Sequence, residues 1–501
     1  MNRQLLRLSV VSMVLLTALI VATTYWQTWA VGGLNDRQDN AIQQVAQLSI
    51  ARGPIVGANG ETVFAANTQK RVSGQTFFSR RYPQKGLAAQ VVGYSTSGGT
   101  RTGLESSLDD YLTGANTNLS NAFRHALDQL GGGTVHGNRL DLTIRPAAQR
   151  IALRDLGTRC GAVVALDPRT GQVYVMASTP TYDPNLLDQP NGYAKILKIK
   201  GDCGDASALV NNATAGLYAP GSTFKLVTAA AALDTGTFTP DSTFFDPGYC
   251  IDYGKKVYNS SAPDSPNAHE RFGHVTLAQA LQHSINAVFC KVGEQLGAKT
   301  ILDYAKRFGF YSVPPLETPT NERAASGLYT YVHGKQQLFF PKTDNQVDAG
   351  RLAFGQERMV TTPLQMAIVA ATIANGGEVP RPYVVQRIVA PDGPIVSSTR
   401  AQTLGRAIKP ETAAALTQMM IAVVQAGTGT AAQIPGIQVA GKTGTAETNV
   451  AGVYNAWFVS FAPADNPRVV VAVVVEKQPG GFGGSIAAPI AKDVMESILG
   501  G

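Results

Sequence analysis

The chain has 501 residues, 44% hydrophobic and 15% charged, which is enough for one large catalytic core plus at least one smaller domain. Its 51 Gly and 27 Pro are too many for a helical bundle and call for a turn-rich α/β or α+β architecture. The formal net charge is +7, yet Lys and Arg are spread along the chain with no helix-turn-helix, zinc-finger or aromatic-basic pattern. Nucleic acid is therefore excluded as a partner in favour of an anionic polymer or lipid surface.

The first element is apolar. Arg3 and Arg7 precede a run from Leu8 to Ala30 that carries no charge, and at about 1.5 Å per helical residue it is long enough to cross a bilayer. It ends on Tyr25, Trp26 and Trp29, which suit an interfacial aromatic belt better than a small-x-small cleavage site. The expectation is a cytoplasmic stub over 1–7, an uncleaved single-pass anchor over 8–30, and an extracytoplasmic remainder. All four cysteines, Cys160, Cys203, Cys250 and Cys290, lie beyond that anchor, where disulfides persist. Three pairings are open to them, as is the reading that some are small buried hydrophobes. No Cys-x-x-Cys suggests zinc or thioredoxin-like chemistry.

Next, residues 36–48 read as a helical spacer, and short strands separated by turns at Asn59-Gly60 and Gly98-Gly99 fill a small non-catalytic domain over 31–145. A larger domain over 146–501 opens near Pro146 with a helix, then a hairpin in which Cys160–Asp167 and Gln172–Ser178 flank Pro168-Arg169-Thr170-Gly171. After a loop rich in Asp, Asn and Gly comes Pro220-Gly221-Ser222, a turn opening a buried helix over Thr223–Leu233. One amphipathic helix is expected over Leu277–Leu296, and others over Pro363–Asn375 and Pro410–Ala426. Strands over Ile437–Thr443, Ala456–Phe461 and Arg468–Val475 and a helix over Ala488–Leu499 close the chain. No repeat of 20 to 50 residues is visible. An early hairpin meeting three late strands implies an antiparallel sheet built from both ends of an α+β domain, with helices inserted between.

Three short motifs carry chemistry. Ser222-Thr223-Phe224-Lys225 is the one Ser-x-x-Lys in the chain. Residues three apart share a helix face, so the Lys225 amine stands near the Ser222 hydroxyl, and neutral lysine can activate a serine if burial or a second cation lowers its pKa. Ser284-Ile285-Asn286 puts a hydroxyl and an amide on a segment that otherwise packs, fitting a proton relay and a substrate-amide contact. Ser265-Pro266-Asn267 has the same spacing, but its Pro-rich setting makes it a solvated turn. Lys442-Thr443-Gly444-Thr445 ends a strand; its cation would depress Lys225 and attract a carboxylate, and Gly444 lets a ligand backbone approach the strand edge.

Ser-x-x-Lys, Ser-x-Asn and Lys-Thr-Gly in this order are the signature of penicillin-recognising serine enzymes. The fuller stretches Ala219–Lys225 and Lys442–Glu447 resemble class B penicillin-binding proteins, as do Arg52-Gly53-Pro54-Ile55, Gly103-Leu104-Glu105, Leu142-Thr143-Ile144, Gly161 to Met176, Tyr182-Asp183-Pro184, Gly355-Gln356 and Thr362-Pro363-Leu364-Gln365. The likeness covers nearly the whole chain after the anchor and is greatest to the actinobacterial, penicillin-binding-protein-A-like type. It implies a β-lactamase-like transpeptidase fold, a five-stranded antiparallel sheet flanked by helices, with a pedestal or dimerisation-type N-terminal domain. It also implies that Ser222 attacks a D-alanyl-D-alanine stem peptide, Lys225 is its base and Ser284 relays the proton to leaving D-alanine. Asn286 would bind the substrate amide, Lys442 would supply positive potential, Thr443 and Thr445 would hold the terminal carboxylate beside Gly444, and the Ser222 and Thr445 N–H groups would form the oxyanion hole. No cofactor or metal is implied. The expected partners are peptidoglycan stem peptides, β-lactams and the membrane. About 115 residues between anchor and catalytic domain are too few for a glycosyltransferase, so the resemblance also implies a separate membrane polymerase of the SEDS (shape, elongation, division and sporulation) type.

Other chemistry is less well supported. No Gly-x-Ser-x-Gly elbow occurs, and His269 and His274 are five apart, about 140° off a shared helix face. The rivals to a D,D-transpeptidase are a D,D-carboxypeptidase or β-lactamase, which admits water to the acyl-enzyme, and a noncatalytic sensor or scaffold.

Overall fold

A computed structural model of the chain describes residues 2–28, 47–72, 74–115, 134–204, 206–252, 254–259 and 270–500. Trp29, Ser265-Pro266-Asn267, His269 and all but the end of the expected spacer over 36–48 lie outside these residues. The first element, α1 (Asn2–Thr28), leaves Leu8, Met13, Leu15, Leu19 and Val21 bare, and its run Arg7–Tyr25 is apolar and long enough to cross a membrane.

The N-terminal domain contributes β1 (Ile55–Val56), β2 (Val63–Val72), β3 (Gln75–Arg81) and β4 (Arg139–Leu142). The turn joining β1 to β2 follows the expected chemistry: Asn59 Oδ1 accepts the Thr62 N–H at 3.1 Å, and Gly60 takes φ 71°. Beneath this sheet, Glu105 is fully buried and takes Arg80 Nε at 2.5 Å and Arg52 Nη2 at 2.8 Å, while Arg52 also reaches Asp109 at 2.5 Å. Burial alone would push the Glu105 carboxyl up, but Arg80 and Arg52 together hold it below its ordinary value.

The larger domain runs through α2 (Pro146–Leu156), β5 (Gly161–Leu166), β6 (Val173–Thr179), α3 (Lys225–Asp234), α4 (Leu277–Gln282), α5 (Asn286–Leu296), α6 (Pro363–Ala374), β7 (Val385–Val389), β8 (Ile395–Ser398), α7 (Pro410–Ala426), β9 (Ala440–Glu447), β10 (Val453–Ala462), β11 (Val469–Pro479) and α8 (Gly483–Leu499). Proline at the first turn starts α2, α6 and α7, where a missing N–H costs nothing. Thr362 caps α6 through the Gln365 N–H at 3.1 Å, and Thr276 with Gln279 forms a capping box on α4.

The expected sheet is present: five antiparallel strands in the order β9-β10-β11-β5-β6. Period-two alternation splits its side chains between two cores. Val164, Trp457, Val459, Phe461, Val470 and Ala472 lie in one core shared with α3, α5, α6 and α7, whereas Val163, Phe458, Val471 and Val473 lie in a second core shared with α2 and α8. Helix α6 is apolar all round because it lies inside the molecule, with every residue from Pro363 to Ile373 buried.

One expectation at the element scale is revised. The single helix over Leu277–Leu296 is two helices, α4 and α5, broken at His283-Ser284-Ile285 with Ser284 at φ 59°. The two domains also share a sheet: β7 and β8 extend the N-terminal strands in the order β8-β7-β4-β1-β2-β3, with β7 antiparallel to β4.

Candidate active site

The break between α4 and α5 brings the three motifs together. In a continuous helix the Ser284 carbonyl would be claimed by an N–H four residues on. Here it is free and accepts an N–H of Lys225 Nζ at 2.6 Å, while Ile285 N–H closes back on the Ala280 carbonyl at 2.9 Å. The left-handed backbone at Ser284 costs roughly 1–2 kcal/mol, a cost of the order that a buried hydrogen bond offsets. Lys225 Nζ also donates to Asn286 Oδ1 at 2.8 Å and approaches Ser284 Oγ at 3.4 Å. From the sheet side, Lys442 Nζ donates to Ser284 Oγ at 2.7 Å and to the Thr443 carbonyl at 2.9 Å. One hydroxyl thus lies between two amines.

Ser222 is half-buried on the 3-10 turn Gly221–Phe224, from which α3 continues at Lys225. That turn is pressed against β9: a Cβ at Gly444 would stand 2.8 Å from Thr223 Cγ2 and 3.0 Å from the Pro220 carbonyl, and one at Gly221 would stand 3.0 Å from the Thr445 carbonyl. Both glycines are dictated by close approach, and Gly221 also by its φ of 50°. Trp457, paired with Gly444 across β9 and β10, ties the sheet to the Ser222 turn by donating Nε1–H to the Ala219 carbonyl at 3.0 Å.

The electrostatics follow from burial. Both Lys225 and Lys442 are fully buried. Burial first, and then repulsion from Lys442, holds the Lys225 amine well below the ordinary lysine range. Burial lowers Lys442 to about 7. In this resting arrangement the bonds of Lys225 Nζ go to Ser284 and Asn286 rather than to Ser222. Thr443 is buried with its hydroxyl 2.6 Å from that of Thr428, and Thr445 Oγ1 accepts the Gly483 N–H at 3.4 Å.

Sequence reasoning missed the residues that hold the motifs. Asn286 Nδ2 donates to the Tyr258 carbonyl at 2.9 Å, and Asn259 accepts the Ala287 N–H at 3.0 Å while donating to buried Asp246 at 2.9 Å. Thr428 lies in a segment without periodicity or repetition that would mark it, and Trp457 lies in an expected strand with nothing in the sequence to single it out, whereas Gly355 was among the family-like stretches. Of the cysteines, Cys160 is bonded to Cys203, while Cys250 and Cys290 are free and buried.

Comparison with known proteins gives two family matches: the penicillin binding protein transpeptidase domain over residues 161–496, and the penicillin binding protein A dimerisation domain over residues 52–140. The chain is 34% identical to the peptidoglycan D,D-transpeptidase PbpA of Mycobacterium tuberculosis over 100% of both chains. It is likewise 34% identical to PbpA of Mycolicibacterium smegmatis over 100% of this chain and 99% of that one. Among solved structures, the ceftriaxone acyl-enzyme of M. tuberculosis penicillin-binding protein A superposes with a TM-score of 0.75 at 34% identity, covering 91% of this chain and 100% of that one. The D,D-transpeptidase domain of an Eggerthella lenta peptidoglycan glycosyltransferase does so with 0.74 at 32%, covering 90% and 99%.

Proposed function

The chain belongs to the penicillin-binding-protein transpeptidase family, and from that premise we propose that it is a membrane-anchored peptidoglycan D,D-transpeptidase acting through an acyl-enzyme on Ser222. The observation that carries the assignment is the Ser284 hydroxyl placed 2.7 Å from Lys442 Nζ and 3.4 Å from Lys225 Nζ. Lys225, neutral because it is buried beside a second cation, takes the Ser222 proton as Oγ attacks the penultimate D-alanine carbonyl. The oxyanion is received by the Ser222 and Thr445 N–H groups. Ser284 then passes a proton to the leaving D-alanine nitrogen and is reprotonated from the lysine side. Asn286 holds the substrate amide, Lys442 supplies the field for the terminal carboxylate, and Thr443 and Thr445 bind it beside Gly444. An amine of a neighbouring stem peptide then displaces Ser222, forming the cross-link. A β-lactam enters the same first step and remains on Ser222.

Arg3 and Arg7 ahead of α1 support an N-terminus in the cytoplasm and a catalytic domain outside. The short segment between anchor and catalytic domain supports a separate SEDS-type polymerase as partner. The assignment is tested by labelling the purified chain with a fluorescent penicillin and mapping the modified peptide. Modification is expected at Ser222, and labelling elsewhere overturns it. Rapid turnover of the β-lactam would mark a hydrolase, and full growth complementation by Ser222→Ala would mark a scaffold.

A further inference from the structure

A deep cleft opens where the two domains meet. Its volume is about 780 Å³, within the range of sites that enclose a small molecule, and such sites favour domain boundaries. The N-terminal domain supplies one wall through the turn Gly57–Gly60 and the end of β4, and the catalytic domain supplies the other through the start of α2, Tyr174 of β6, β7 and Ser497 of α8. The cleft is apart from Ser222. Helix α8 starts at Gly483, whose N–H meets Thr445 in the candidate active site, and reaches the cleft only at Ser497, so about 21 Å of helix separates the two.

Charge decides what the cleft can hold. Arg145, Arg150 and Arg387 line it against one carboxylate, that of Asp141. Asp141 is already shared between Arg139 at 2.7 Å and Arg387 at 2.5 Å, so it neutralises neither of the other two. Among the described residues no acid is ion-paired with Arg145 or Arg150; Arg150 donates to Gln84 Oε1 at 3.1 Å, and Arg145 Nη1 to the Ile498 carbonyl at 3.3 Å. The Arg145 guanidinium also lies 3.9 Å over the Tyr174 ring, which fixes its plane against the wall at no cost in charge.

A guanidinium presents a fork of N–H donors that matches the two oxygens of a carboxylate or phosphate. Three of them around one enclosed space call for an anion, and the space is much larger than a lone phosphate needs. The Gln172 and Gln386 amides and the Ser497 hydroxyl complete the lining, and such neutral groups suit the hydroxyls of a sugar. We propose that this cleft is a binding site for a saccharide bearing carboxylate or phosphate groups, seated against Arg145, Arg150 and Arg387 and touching both domains. A ligand held across the junction stabilises the folded chain. The site stands whether or not Ser222 forms an acyl-enzyme.

The test uses purified full-length protein at low salt. Fluorescent tetragalacturonate is titrated as the carboxylated saccharide, fluorescent maltotetraose as its uncharged match in length, and inorganic pyrophosphate is added as a competitor for the arginines. Saturable binding of tetragalacturonate, its displacement by pyrophosphate and no binding of maltotetraose are expected, with a melting temperature that rises as the site fills. Arg145→Met and Arg387→Met should each weaken binding by about tenfold or more. Arg150→Met, at an exposed side chain, should do the same without cost to the fold. Arg406→Met removes an exposed charge outside the cleft, where it pairs with Glu378, and should leave binding as it is. Absence of saturable binding, equal binding of maltotetraose, indifference to pyrophosphate, or an equal loss in Arg406→Met would each overturn the proposal. Penicillin labelling should be the same in all four variants as in the native chain, since none of them adjoins Ser222.

Discussion

Two lysines that must sit in a dry cleft make the site costly to fold, and the cost is visible in pH. Lys442 falls to about 7 from an ordinary value of 10.5. Below about pH 7 its ammonium is charged in folded and unfolded chains alike, and the folded state bears the whole penalty of burying it. Between about 7 and 10.5 the unfolded chain holds the proton that the folded chain has released, so stability rises with pH across that window and the penalty is gone above it. Lys442→Met, similar in volume and uncharged, is therefore expected to be more stable than the native chain at pH 6 by on the order of 2 kcal/mol, with the gap closing towards pH 10. Thermal melts across pH check this, and a variant less stable at pH 6 would refute it. Penicillin acylation by the variant should be nearly lost. Ser284→Ala, by contrast, removes the shared hydroxyl without uncovering a charge. Its second-order acylation rate should fall by about a hundredfold or more, while its melting temperature stays within a few degrees. A normal acylation rate would remove Ser284 from the relay.

At the scale of elements, the turn that carries Ser222 depends on backbone contacts that tolerate no side chain. Gly355 takes φ 76°, its carbonyl accepts the Gly221 N–H at 3.1 Å, and a Cβ added there would stand 2.1 Å from the Gly221 carbonyl. Gly355→Ala should cost about 2–3 kcal/mol from strain and overlap, and it should slow acylation because the displaced residue adjoins Ser222. A native melting temperature with unchanged labelling would show that this turn is free to move. The same elements show what the amino-acid order discloses. The strands β5, β6, β10 and β11 were legible because apolar runs of the right length are bounded by turn residues, β9 because a short apolar run leads into Lys-Thr-Gly, and α6 and α7 because proline marks their starts. The split of α4 from α5 was not. Leu277, Ala280, Leu281, Ala287 and Val288 keep a helical rhythm across the break, which is stabilised by a lysine 59 positions away. The Ser-x-x-Lys, Ser-x-Asn and Lys-Thr-Gly motifs, which the fold brings together at the candidate site, were readable in the sequence, whereas Thr428, Asn259 and Trp457 act through contacts that only the fold creates.

At the scale of the whole molecule, the N-terminal and catalytic domains are knitted together. Strand β7 leaves the catalytic domain to pair with β4, and Glu322 accepts the Gly103 N–H at 3.0 Å. The segment beginning at Gly103 carries Glu105, whose carboxylate neutralises Arg80 and Arg52 beneath β1, β2 and β3. One buried acid thus ties the small sheet to the segment that touches the catalytic domain. Removing one partner of such a cluster strands the others, which costs more than the cluster contributes as a whole. Glu105→Gln preserves shape but leaves two guanidiniums facing a neutral amide, and a loss of about 3–5 kcal/mol is expected. Because the arginines hold the Glu105 carboxyl below its ordinary value of 4.5, its stabilisation is present above that pH and is lost as pH falls through the lowered value. The native chain should therefore lose part of its advantage over the variant in acid. Hydrogen exchange in β1–β4 should accelerate in Glu105→Gln at neutral pH, with β9–β11 changing least and Ser222 still labelling at low temperature. Equal protection in both sheets, with an unshifted melting temperature, would show that the cluster does not hold the domain together.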